Sequence, residues 1–173
     1  MTEKNLLFKG QDLQLMVTTT FCKPAIQLSA DILRVNLYKN AGNPPCLNEI
    51  LLQWYKTQSL QYLRQRTAFW AKKIGVSFCN LTIKDQHTRW GSCSSLHNLN
   101  FNWRIIMAPE PIIDYLVIHE VSHLVHLNHS AHFWQLVSHH DPKYQEHKHW
   151  LAQNGRRLFQ ILPKYSSRRR RSI

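Results

Sequence analysis

Ile112-Ile-Asp-Tyr-Leu-Val-Ile-His119-Glu120-Val-Ser-His123-Leu-Val-His126-Leu-Asn-His129 is the stretch on which the reading of this chain turns. Ile112, Ile113, Leu116, Val117, Val121, Leu124 and Val125 recur at helical spacing and cover much of the circumference, so the segment reads as a largely buried helix. Burying imidazoles and a carboxylate there is costly unless they are paired or hold a metal ion. His119 and His123 stand four apart, which puts both rings on one side of the helix, within reach of a single ion. Glu120 directly follows the first histidine, so its carboxylate can lie beside the ion without ligating it and can take a proton from water there.

A catalytic zinc ordinarily takes three protein ligands and leaves a position open. His129 is the expected third ligand, swung back to the ion by a left-handed turn at Asn128. Its spacing of ten from His119 is that of the longer H-E-x-x-H-x-x-G-x-x-H pattern, with His126 where that pattern has glycine. His126 is the rival for the third position. Imidazole donors suit one zinc ion per chain, with another divalent transition metal as the alternative.

Working outward, Leu99, Phe101, Trp103 and Ile105 alternate with polar residues and predict a strand running to about Met107. Ala108-Pro-Glu-Pro111 ends it and opens the motif helix. This strand is expected to line the cleft as a sheet edge able to pair with an extended substrate. Arg89, Asn100 and Asn102 are the candidate substrate-binding residues, with Arg89 suited to an oxyanion, carboxylate or phosphate. Val76 to Lys84 reads as a short strand and Asp85 to Asn98 as a polar loop. Residues 47–74 carry apolar side chains at spacings of three and four, with Gly75 as the stop, and predict a helix. Residues 11–38 suit strands, and Ala41-Gly-Asn-Pro-Pro45 breaks the chain between the two regions. His132, His139, His140, His147 and His149 are read as surface residues, with a supporting role behind the ligands as a lesser alternative for His132.

The 173 residues carry 22 Lys and Arg against 10 Asp and Glu, a formal charge of +12, together with 11 His. With 43% hydrophobic residues the chain is no disordered polymer, and its length suits one domain. The domain is expected over residues 1–163, with the metal-site core over about 76–160. A flexible basic tail follows over 164–173, where Lys164 and Arg168 to Arg171 supply five of the positive charges. That tail suggests a nucleic-acid contact. No apolar run is long enough to span a membrane, no signal-like segment opens the chain, and Cys22, Cys46, Cys79 and Cys93 form no C-x-x-C pair. They read as free thiols in a reducing cytoplasm.

Arg89-Trp-Gly-Ser-Cys93, Leu99-Asn-Phe-Asn102, Ile113 to Leu124 and His129-Ser-x-x-Phe-Trp134, in that order, resemble the YgjP-like family of metallopeptidase domains over about residues 60–160. More distantly the chain is similar to DNA-associated proteases of the SprT type. The resemblance implies a zincin-like α+β fold with a small mixed or antiparallel sheet and an active-site helix. It also implies metal positions at His119, His123 and His129 and a catalytic position at Glu120. The expected activity is metal-dependent hydrolysis of a peptide bond in a peptide or protein substrate. Two alternatives keep the metal: a nucleotide phosphoanhydride hydrolase, and a nucleic-acid module with a structural zinc. A structural site normally has four ligands, and no glycine-rich phosphate loop is present, which weighs against both.

Overall fold

The computed structural model describes residues 6–21, 25–38 and 46–162. The basic tail, the Ala41 to Pro45 breaker and Cys22 lie outside the described residues.

The N-terminal region forms four strands: β1 (Leu6–Phe8), β2 (Gln11–Thr20), β3 (Ala25–Ser29) and β4 (Ile32–Tyr38). Their order is β1-β2-β4-β3, with β2 parallel to β4 and the other pairs antiparallel. The β1–β2 turn docks this sheet: the backbone N–H groups of Lys9 and Gly10 donate to the carbonyls of Ile106 and Met107 at 2.8 and 3.1 Å. Gly10 has φ +81°, and a Cβ there would lie 2.9 Å from Pro109 Cα, so both the turn and the close approach require glycine.

Helix α1 (Leu47–Ile74) follows as its periodicity predicts and stops at Gly75, whose φ of 80° places it in the left-handed region. Leu51, Tyr55, Leu63, Thr67 and Ala71 are buried along it. The Tyr55 hydroxyl donates to the Leu7 carbonyl at 2.8 Å, and burial pushes its pKa above the ordinary tyrosine range. Arg66 grips Asp114 with two 2.6 Å hydrogen bonds and so ties α1 to the motif helix.

The second sheet holds β5 (Asn80–Lys84), β6 (Gly91–Cys93) and β7 (Asn98–Asn102) in the order β5-β7-β6. Two expectations are corrected here. The predicted loop contains β6, too short and glycine-bearing to carry a strand pattern. The strand predicted to Met107 ends at Asn102, and Trp103–Met107 is a 3-10 helix. Asn102 causes the change, because its side-chain oxygen accepts the Arg104 N–H at 3.1 Å and caps the helix. All five residues after it are fully buried, so their alternation reports no sheet face. Consequently β7 is the central strand, and the edge beside the motif helix is β6.

Helices α2 (Glu110–Ser122), α3 (Ala131–His140) and α4 (Tyr144–Ile161) complete the α+β fold. Both sheets and all four helices contribute to one buried apolar cluster. Among the described residues, no helix is long and apolar enough to cross a membrane.

Candidate metal centre

Helix α2 opens with Pro109 as its N-cap and Pro111 in its first turn. From Ile112 to Val121 its apolar residues are buried on every side, so the helix runs through the interior and delivers His119 and Glu120 to a cleft. It ends three residues earlier than the apolar pattern predicts. His123 is the C-cap, and Leu124 and Val125 close tight turns onto Val121 and Ser122 at 3.0 Å each. The left-handed turn expected at Asn128 is absent: among the described non-glycine residues, positive φ occurs at Lys9, Ala30 and His97. The chain is folded back instead by this tightened helix end and by His123, whose Nδ1 lies 3.0 Å from the His126 carbonyl. That bond makes Nδ1 a donor and leaves Nε2 free as a lone pair.

The return brings His129 to the helix. Its Nε2 is 3.1 Å from His119 Nε2, and the three rings of His119, His123 and His129 lie 4.7 to 5.0 Å apart by centroid. One nitrogen from each falls within 4.8 Å of the others. Tetrahedral bonds of about 2.0–2.1 Å place ligand nitrogens roughly 3.3 Å apart, a spacing the His119–His129 pair approximates at 3.1 Å, with the His123 nitrogen within 4.8 Å of both. Burial pushes the His119 pKa down to about 3, with the neighbouring His123 and His129 and Lys148 adding to the fall. Burial likewise lowers that of His123. Neutral rings are what a metal requires. His119 Nδ1, across the ring from the nitrogen that faces His129, is buried with no hydrogen-bond partner among the described residues. His126 does not join the cluster. Its ring lies 6.2 Å from that of His132, and its carbonyl orients His123.

Helix α3 starts at once, with Ser130 as its N-cap, and supplies the floor. Phe133 is fully buried and touches all three imidazoles at centroid distances of 4.5 to 5.0 Å. Trp134 stacks on His129 at 5.5 Å and 23°, and Tyr144 of α4 stacks on Trp134 at 5.3 Å and 23°.

Glu120 lines the same cleft, which has a volume of about 240 Å³ and also presents Gly91, Cys93 and Leu127. The residue is only 4% exposed, and burial pushes its pKa up to about 8 against the opposing pull of Arg89. Gly91 of β6 makes room for it: a Cβ there would lie 2.7 Å from Glu120 Cδ.

The structure thus brings His119, Glu120, His123 and His129 together and sets Arg89 within electrostatic reach of Glu120. It brings neither Asn100 nor Asn102 to the cleft. Asn102 is fully buried, with its amide donating to the Gln86 carbonyl and its oxygen capping the 3-10 helix. Asn100 donates to Ser92 Oγ at 3.3 Å across the strand pair. Period-two alternation turns both away from the side on which Gly91 and Cys93 face α2. Sequence reasoning missed the contributions of Gly91, Phe133, Trp134 and Tyr144. A signal existed for two of them, since Phe133 and Trp134 follow His129 by four and five residues behind the N-capping Ser130.

A family profile described as "YgjP-like, metallopeptidase domain" matches residues 1–154. A comparison with curated proteins finds no match. Among solved structures, the chain is similar to the metallopeptidase zymogen of Pyrococcus abyssi abylysin at 17% identity and a TM-score of 0.48, covering 53% of this chain and 93% of that one. The metallopeptidase zymogen of Methanocaldococcus jannaschii jannalysin gives the same identity, TM-score and share of this chain, with 95% of its own covered.

Proposed function

The chain belongs to the YgjP-like metallopeptidase domain family, and from that premise we propose that it is a zinc peptidase centred on His119, His123, His129 and Glu120. The observation that carries the proposal is the convergence of three imidazole nitrogens beside a buried carboxylate in one cleft. When bound, zinc would supply a Lewis acid that acidifies water and polarises a carbonyl.

The chain's own residues do the rest. His119 and His123 present neutral nitrogens from a rigid, buried helix, and His129 closes the set from the return loop. Glu120 accepts a proton from the attacking water and passes it to the leaving amine. In the metal-free fold burial holds this carboxyl protonated up to about 8, and a cation at the three histidines would favour the carboxylate form that proton acceptance requires. Arg89, exposed and within electrostatic reach of Glu120, offers a cation to a developing oxyanion or to a substrate carboxylate. An extended peptide would pair with the free edge of β6, so its backbone is held more firmly than its side chains. We place the enzyme in the cytoplasm, on its scattered cysteines and the absence of a C-x-x-C pair. We assign a nucleic-acid contact to the basic tail.

Glu120→Gln is expected to retain zinc while losing about 10²- to 10⁴-fold in turnover. Denatured protein and nucleoside triphosphates offered side by side test the substrate class. Peptide cleavage supports the proposal, and phosphate release without cleavage overturns it.

A further inference from the structure

A groove of about 340 Å³ lies away from the metal centre, between α1 and β5. One wall carries Lys56, Leu60 and Arg64, and the other carries Leu81, Thr82 and Ile83. The helix wall is a single stripe, because the three residues are spaced by four. The strand wall is of a different kind. Three consecutive residues of a strand can line one groove only through the strand's edge, since its side chains alternate between faces. The sheet order β5-β7-β6 leaves that edge of β5 without a strand neighbour among the described residues. The groove therefore combines a strand edge, apolar flanks from Leu60, Leu81 and Ile83, two cations, and one carboxylate, Asp85, whose charge is offset by its ion pair with the buried Arg104. Neither Lys56 nor Arg64 forms an ion pair within bonding distance among the described residues.

We infer that this groove is a docking site for an extended acidic peptide segment, added to β5 as a further strand and held by Lys56 and Arg64. The spacing makes the inference specific. Eight helical residues rise about 12 Å, so the two cations stand that far apart along α1. Two residues four apart on an extended strand are separated by about 13 Å and share a face. Acidic residues at i and i+4 of the peptide thus meet both cations, whereas a spacing of three sends one to the opposite face. The chain's own basic tail is a poor occupant, because like charges repel. Nucleic acid is disfavoured by the apolar flanks, by the backbone edge, and by the lack of an aromatic stacking surface in the groove. The site does not involve the metal ligands, so it stands or falls independently of the peptidase proposal.

The test uses the full chain carrying Glu120→Gln, so that no probe is cleaved, with and without chelator. The probe is a fluorescein-labelled peptide with the core Glu-Val-Thr-Val-Glu, followed by anisotropy. Binding is expected in both metal states and is expected to weaken at least tenfold with Lys56→Glu plus Arg64→Glu. Arg64→Glu alone, at an exposed helix position, is expected to give an intermediate loss, with circular dichroism confirming the fold. A Lys-Val-Thr-Val-Lys core should regain affinity for the doubly reversed protein. A Glu-Pro-Thr-Pro-Glu core, with equal charge but fewer backbone donors, should bind at least tenfold more weakly. Unchanged affinity in the reversed protein, or equal binding of the proline core, overturns the inference. An oligothymidylate whose binding depends on Lys56 and Arg64 and exceeds that of the peptide also overturns it.

Discussion

At the scale of single residues, burial disfavours the charged forms of His119, His123 and Glu120. Glu120 holds its proton up to about pH 8, against an ordinary 4.5, in the metal-free fold. Between those values the native protein carries a proton that the unfolded chain has lost. The stability this provides is full below about pH 4.5 and drains away as pH rises toward 8. His119 works in the opposite sense. Its native pKa of about 3 lies below the ordinary 6.5, so stability is lost as pH falls from 6.5 toward 3. Between about pH 4.5 and 6.5 the two effects offset, so melting of the chelated protein is expected to plateau there and to fall on either side, and Glu120→Gln should remove the decline on the alkaline side. Gly91→Ala is expected to displace the Glu120 carboxylate. Activity should fall at least tenfold while zinc content stays at wild type, which parallel turnover and metal assays would register. Trp134 is expected to act as a positioning residue for His129. Trp134→Ala should weaken zinc about 10- to 100-fold, and Trp134→Phe should restore most of it, as read by competition with a metal indicator. Residue types made the histidines and Glu120 legible in the sequence. Gly91 was not, because its meaning is the missing Cβ beside a carboxylate 29 positions later in the chain.

At the scale of elements, helix α1 and its Gly75 stop were readable from periodicity and a cap, both local signals. The errors fell where a side chain redirected the backbone. Asn102 turned a strand into a 3-10 helix, and the His123–His126 bond helped end α2 early. β6 was invisible because three residues, one of them glycine, are too short a run to show a strand pattern. The role of Asn102 in the fold predicts that Asn102→Ala costs about 1–3 kcal/mol. Chemical denaturation would measure that loss. Turnover per folded molecule should remain near wild type, as it would not for a substrate-binding side chain.

For the molecule as a whole, one buried cluster unites the two sheets with the helices, and the cleft opens where α2, β6 and the return loop meet. Composition announced the basic charge and the histidine excess, but not where either would act. If the tail anchors nucleic acid, removing residues 164–173 should weaken DNA binding and flatten its salt dependence, with about one unit of slope lost per phosphate contact. Unchanged affinity in the shortened chain would return the tail to a solvated role. The central claim is that three imidazoles hold one ion which Glu120 needs but does not hold. Zinc content, measured by mass spectrometry on wild type, Glu120→Gln and His129→Ala purified without chelator, tests this most directly. One equivalent in the first two and a marked loss in the third is the predicted result. A metal-free wild type, or full retention by His129→Ala, would contradict it.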